Sequence, residues 1–280
     1  MILSALDLRH AYEGEIASLK GLSLEVGRAK KLAILGANGA GKTTLLLHLN
    51  GTLKPISGEI RLDGVPVSHN RAGLIAWRRR VGMVMQDPDD QLFAPSVLAD
   101  VAFGPLNLGL SDEEARERAL STLAELRISD LATRPPHLLS LGQKKRVAIA
   151  GIVAMRPDVL LLDEPAAGLD AHGTAHLLAV LDRLVDDGAT IVFSTHDSEL
   201  ALAFADEAAI FSEGIVLRHG APVDLLADRE LLRQARLKMP WPIELGLRAR
   251  ELGLCEADAP LPRKRGEALA ILDRKPDLRS

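Results

Sequence analysis

Gly36, Gly41, Lys42 and Thr43 satisfy the spacing G-x-x-x-x-G-K-[ST] within the run Leu32-Ala33-Ile34-Leu35-Gly36-Ala37-Asn38-Gly39-Ala40-Gly41-Lys42-Thr43-Thr44. The glycines let successive backbone N–H groups curl inward on an anion, and a helix beginning near Lys42 adds its positive end. Lys42 would reach β- and γ-phosphates, and the Thr43 hydroxyl would ligate Mg²⁺. A short apolar strand precedes the turn and an apolar helix follows it. In that context the pattern reads as a phosphate cradle for a nucleoside triphosphate rather than a chance glycine turn.

The second chemical group is a pair of acids. Val159-Leu160-Leu161-Leu162 reads as a central parallel strand buried on both faces, and it ends in Asp163-Glu164. Beside a phosphate loop, two carboxylates at a strand end suit Mg²⁺ holding by Asp163 and water activation by Glu164. The run Ala189 to Asp197 repeats the scheme, an apolar strand ending in polar residues, and sets His196 at the same sheet edge. There it could bond a γ-phosphate or orient the attacking water; a strand-end capping role is the plain alternative. Val81 to Met85 reads as another strand, and Gln86-Asp87-Pro88 begins the loop at its carboxyl end, where ligands of open α/β sheets sit.

Other elements position these groups. Residues from about Ile2 to Val26 alternate as strands of an antiparallel flap. Tyr12, the only tyrosine, could stack on adenine or simply occupy a half-exposed strand position; spacing alone leaves both open. Asn50-Gly51 reads as a helix stop, and Asp63-Gly64 as the turn of a hairpin over 58–64. Arg78-Arg79-Arg80 reads as a solvated strand entrance. Ser111 to Glu114 forms a capping box, opening a helix with Ala115, Ala119, Leu123 and Leu126 on one face. Roughly 90–155 is thus a mostly helical insertion. Ser140 and Gly142 begin the helix that closes it, offering a second anion site. Ala167 to Asp170 is a tight turn into a helix running to Gly188.

Bulk properties narrow the classes. The chain has 280 residues, 47% hydrophobic and 26% charged, room for one large α/β domain plus an appendage. A net charge of −4 gives no support to a nucleic-acid-coating role. The single cysteine, Cys255, excludes an internal disulfide. The N-terminus does not read as a signal peptide, and no stretch approaches a membrane span. Beyond Leu226 the composition turns locally basic and proline-broken, with Leu245, Leu247, Ala249 and Leu252 suggesting one short amphipathic helix. Arg274 to Asp277 reads as a frayed end.

Together these pieces resemble the ATP-binding subunit of ABC transporters over residues 2–225. Gly36 to Thr44 looks like Walker A, Leu139-Ser140-Leu141-Gly142-Gln143 like the LSGGQ signature, Gln86 like the Q-loop and Asp163-Glu164 like Walker B. Ala167 to Asp170 is similar to the D-loop, His196 to the H-loop and Tyr12 to the aromatic A-loop. The one departure is Leu141, where the signature usually has glycine. Asp87 to Phe93, Ala102 to Asn107 and Gly142 to Gly151 are most similar to energy-coupling-factor importers of the cobalt type.

The resemblance implies an α/β fold: a P-loop NTPase (RecA-like) core with an antiparallel β flap, an inserted α-helical subdomain and a small C-terminal extension. It implies a nucleotide-binding domain over 1–225, with its helical subdomain at about 90–155. Residues 226–280 would be an extension for dimerisation or regulation. ATP and Mg²⁺ are the implied cofactors. Tyr12, Gly36, Asn38, Gly39, Ala40, Gly41, Lys42, Thr43 and Thr44 would bind ATP, and Thr43, Gln86 and Asp163 would serve Mg²⁺. Glu164, His196 and Gln86 would be catalytic. Ser140, Leu141, Gly142 and Gln143 would meet ATP held by the opposite subunit, next to the D-loop residue Asp170. The implied partners are a second ATPase subunit, most simply an identical chain, an integral-membrane coupling subunit and a substrate-binding membrane subunit, with no nucleic acid. The chain would then sit on the cytoplasmic face of the membrane. Cobalt is the implied cargo, with nickel or a vitamin as alternatives. A soluble ABC ATPase acting on nucleic acid or ribosomes is disfavoured, because neither a long coiled-coil insertion nor a second cassette is present. A non-hydrolysing module is disfavoured by the intact Asp163, Glu164 and His196.

Overall fold

Alternating apolar and polar residues near the start of the chain give two antiparallel strands, β1 (Leu3–Tyr12) and β2 (Ile16–Val26). The computed structural model describes residues 1–13 and 16–273, so the frayed end expected at Arg274 to Asp277 lies outside the described residues. A continuous apolar run then forms β3 (Lys31–Leu35), paired in parallel on both sides. After the glycine turn comes α1 (Lys42–Leu49), which stops at Asn50 with Gly51 in the left-handed region. Strands β4 (Ser57–Leu62) and β5 (Val65–Pro66) reverse at Asp63-Gly64. They complete a four-stranded sheet ordered β2-β1-β4-β5.

Arg78, Arg79 and Arg80 directly precede the strand that begins at Val81, as read in the sequence, but they are helical there. They form the last turn of a helix, α2 (Arg71–Arg80), started by Asn70, whose side chain accepts the Gly73 N–H. Cations suit a helix C-terminus. Arg80 also pairs with Asp63 at 2.6 Å and Asp158 at 2.5 Å, fastening the hairpin turn to the approach of a central strand.

The second sheet adds β6 (Val81–Val84), β7 (Val159–Leu162), β8 (Thr190–Thr195), β9 (Glu207–Ser212) and β10 (Ile215–Gly220). Its order is β10-β9-β3-β8-β7-β6, and every pairing is parallel except that of β9 with β10. Between β6 and β7 the chain is helical, with α3 (Val97–Asn107), α4 (Asp112–Glu125) and α5 (Leu141–Val153). The capping box at Ser111 and Glu114 forms in both directions, and Ala115, Ala119, Leu123 and Leu126 are all buried. Helices α6 (Ala171–Asp186) and α7 (Ser198–Phe204) follow β7 and β8. The chain then continues through α8 (Pro222–Ala227), α9 (Arg229–Ala235), α10 (Trp241–Glu251) and α11 (Arg265–Leu272).

Two apolar layers hold these elements. One, with Leu3, Leu22, Ile34, Leu45 and Phe211, lies between the two sheets and α1. The other covers the opposite face, running from Leu123 and Ala148 past Leu160 and Phe193 to Leu231, Leu232 and Ile243. The C-terminal helices therefore share the main core. Register matters most for the site: Leu35 pairs with Thr195, Phe193 with Leu162, and Leu162 with Val84. In this register β3 and β8 run two residues past β6 and β7, and the residues after all four strands arrive at one edge of the sheet.

Leu123 is fully buried between the inserted helices and the core. Leu123→Ala should cost about 2–5 kcal/mol of stability, read from the urea midpoint. An unchanged midpoint would show that the insertion is not packed as described.

Candidate nucleotide-binding site

The loop after β3 is fixed by its glycines and by its lysine. Gly41 sits at φ 102°, and a Cβ there would lie 2.7 Å from the Ser18 carbonyl oxygen, so no other residue fits. A Cβ on Gly36 would meet the Phe211 carbonyl oxygen at 2.5 Å, while the Gly36 N–H donates to the Thr195 carbonyl. Lys42, only 6% exposed, folds its ammonium back onto the carbonyls of Gly36 at 2.7 Å and Ala37 at 3.2 Å. Glu164 Oε1 stands 3.5 Å from the same nitrogen. The lysine is thus held between two loop carbonyls and the Glu164 carboxylate.

At the end of β7 the acids are locked from several sides. Thr43 Oγ1 donates to Asp163 Oδ2 at 2.7 Å, and Ser194 Oγ donates to Asp163 Oδ1 at 2.5 Å. The same Ser194 oxygen accepts the Glu164 N–H at 2.9 Å. Glu164 adopts φ 45°, a left-handed conformation that costs a non-glycine residue energy and persists only where neighbours impose it. Lys145 supplies the other clamp, donating to the Glu164 carbonyl at 3.0 Å. Burial pushes the Lys145 ammonium below its ordinary range, and the nearby charges of Glu164, Asp163 and Asp87 oppose that shift. His196 Nδ1 lies 3.0 Å from Glu164 Oε1.

Tyr12, Asn38, Gly39, Ala40, Gly41, Lys42, Thr43, Thr44, Gln86, Asp163, Glu164 and His196 line a single cleft of about 480 Å³. Tyr12 stands at its rim with its hydroxyl 3.1 Å from Thr44 Oγ1. Gly36 closes the loop from beneath. The oxygens of Thr43 and Asp163 meet at 2.7 Å, and Gln86 lines the same cleft with its amide oxygen available, hard donors that fit Mg²⁺.

The signature residues lie elsewhere. Ser140 caps α5: its hydroxyl accepts the Gln143 N–H at 3.4 Å, and the Gln143 side chain accepts the Ser140 N–H at 3.0 Å. The Gln143 side chain is thus spent on its own helix. Leu141 packs toward Gly168 and lines an adjacent cleft with Thr43, Gln86 and Asp163, but Ser140, Gly142 and Gln143 line neither cleft. Asp170 caps α6 through the Gly173 N–H at 2.6 Å. Sequence reasoning missed Ser194 and Lys145. The one available signal for Ser194 was a polar residue inside an otherwise apolar strand, two positions before His196.

The model of the ABC transporter family matches residues 19–167. This chain belongs to that family. The ABC cassette is 57% identical to the cobalt import ATP-binding protein CbiO of Rhodobacter capsulatus, over 96% of each chain. It is 44% identical to an energy-coupling factor transporter ATP-binding protein, EcfA, of Methanosphaera stadtmanae, over 86% of each. Among solved structures it is similar to cbiO1 from Clostridium perfringens, described as part of the ABC transporter complex cbiONQ. That likeness has a TM-score of 0.75 and 40% identity, covering 90% of this chain and 97% of the other. The cassette is accordingly an α/β P-loop ATPase.

Ser194 bonds both acids of this cassette, so removing its hydroxyl leaves the buried Glu164 N–H unpaired. Ser194→Ala should lower stability by about 1–3 kcal/mol and depress Mg²⁺-dependent ATP turnover more than Mg²⁺-free nucleotide binding. Equal effects on turnover and binding would remove Ser194 from the site.

Proposed function

We propose that this chain is the ATP-hydrolysing subunit of an energy-coupling-factor importer whose cargo is cobalt. One observation carries the mechanism: the phosphate cleft gathers Lys42, Asp163, Glu164 and His196, while Ser140 and Gly142 of the same chain are not among the residues that line it. A second copy, turned to face the first, completes each site with its own α5 end.

In that closed pair Gly39, Gly41, Lys42 and Thr44 hold the phosphates, and Tyr12 stacks on the base. Thr43, Gln86 and Asp163 would hold Mg²⁺, which would supply positive charge against that of the phosphates. Glu164 accepts a proton from the water attacking the γ-phosphorus, and the bond to the β-bridging oxygen breaks. His196 steadies the γ-phosphate, and the second copy's Ser140 and Gly142 donate to it from the far side. The Ser140 hydroxyl retains its proton for this, because its oxygen is an acceptor within its own helix. A closed pair that binds ATP well and its products poorly separates after hydrolysis.

Residues 1–225 serve as the nucleotide-binding domain, about 90–155 as its helical subdomain and 226–280 as a C-terminal extension for dimerisation or regulation. Among the described residues no helix is long and apolar enough to cross a membrane. The likeness to the CbiO and EcfA ATP-binding proteins supports a peripheral place on the cytoplasmic face of the membrane. Phe93, 67% exposed, stands edge-on to Phe103 at 4.8 Å in the segment after Gln86. This pair offers an apolar seat for the integral-membrane coupling subunit, which in turn carries the substrate-binding subunit.

Glu164→Gln should reduce phosphate release by about 10²–10⁴-fold while ATP still brings two copies together in size-exclusion chromatography. Full turnover in that variant would overturn the base. Lys42→Ala and Ser140→Arg should each be inactive alone, yet regain turnover when mixed, since a mixed pair has one complete site. No recovery on mixing would overturn the shared site. For the cargo, vesicles containing the chain with its membrane subunits should take up cobalt only with ATP; uptake of nickel or a vitamin instead would reassign it.

A further inference from the structure

Four residues near the rim of the cleft close into a ring, three of its links through side chains and one through the Thr44 backbone carbonyl. Tyr12 and Thr44 share a hydroxyl hydrogen bond of 3.1 Å. One helical turn on, His48 Nδ1 lies 2.7 Å from the Thr44 carbonyl oxygen. The His48 ring meets His10 edge to face, with centroids 4.6 Å apart and planes at 73°. His10 then meets Tyr12 at 4.9 Å and 87°, two residues along β1, where alternation brings side chains back to one face.

His48 is fully buried, and burial pushes its imidazole below the ordinary value, with His10 and His69 adding to that and the Thr44 carbonyl opposing it. Because a carbonyl oxygen can only accept, His48 Nδ1 carries the hydrogen and donates it to Thr44. No hydrogen bond reaches either ring nitrogen of His10, nor His48 Nε2, among the described residues. His10 is gripped by ring packing alone. It stands as a wedge between the tyrosine at the rim and the histidine anchored to α1.

The geometry points to His10 as a positioning residue that fixes the Tyr12 ring, the platform for the nucleobase, relative to the phosphate-holding turn of α1. This rests on the nucleotide reading above and adds a specificity element to it: His10 acts on the base end of the ligand through Tyr12 and leaves the phosphate end to the glycine loop. Because packing and not hydrogen bonding carries the effect, phenylalanine can replace it, and phenylalanine also removes two buried unpartnered nitrogens.

Titration calorimetry on the full chain with ATP, and separately with inorganic tripolyphosphate, tests this. His10→Ala should raise the Kd for ATP by about 3- to 10-fold and leave tripolyphosphate within about twofold. The KM for ATP should rise with it while kcat at saturation holds. His10→Phe should restore ATP affinity and melt no lower than the natural chain. An unmoved ATP affinity in His10→Ala, a parallel loss of both ligands, or a folded His10→Phe that binds like the alanine variant would each overturn the assignment. If His10→Ala does not fold, His10→Leu, which fills the space without an aromatic ring, replaces it under the same criteria. A natural chain that binds neither ligand would overturn the nucleotide reading as well; one that binds both, with His10→Ala unchanged, overturns the positioning role alone.

Discussion

Everything at the site depends on burying charge at the end of an apolar strand. Asp163 and Glu164 are almost fully buried, and so is Lys42. Charges taken out of water are tolerable only where partners and hydrogen bonds surround them. Here Thr43, Ser194, Lys42 and Lys145 provide that company, drawn from α1, β8 and α5 as well as from the loop itself. The acids can be there only if the parallel sheet is assembled, and the sheet edge is tolerable only because the acids are matched.

That mutual dependence has a conformational price at Glu164. Its left-handed backbone is pinned at the N–H by Ser194 and at the carbonyl by Lys145. The first clamp belongs to the neighbouring strand and the second to the inserted helices. A rearrangement of α5 would therefore be felt directly at Glu164, the residue proposed to activate the attacking water. This gives the helical insertion a physical link to the chemistry, beyond carrying the Ser140 end of α5.

The C-terminal helices extend the same logic outward. Their apolar residues join the core that supports β7 and β8, and Arg263 donates to the carbonyls of Leu202 and Ala205 at the end of α7. The helix after His196 is thus held on its far side. What began in the sequence as a proline-broken, locally basic tail is packed as part of the cassette.

Much of this was legible in the residues. The glycine spacing before Lys42, the apolar strand ending in Asp163-Glu164, the polar end at His196 and the capping box at Ser111 are local patterns, governed by backbone sterics and by short-range hydrogen bonds. Local patterns survive reading one residue at a time. Helix α2 was missed because Arg78 to Arg80 have the same composition in a helix end as in a solvated strand entrance, and only burial of Trp77 and the ion pairs of Arg80 decide between them. Ser194 and Lys145 took their meaning from contacts across 31 and 19 positions of chain, with Asp163 and Glu164 respectively. The ring of His10, Tyr12, Thr44 and His48 likewise exists only once β1 lies against α1. The sequence by itself determined which groups could do chemistry, because residue type and spacing are local. The tertiary structure alone decided which of them share a cleft, because strand register and burial are properties of the whole chain.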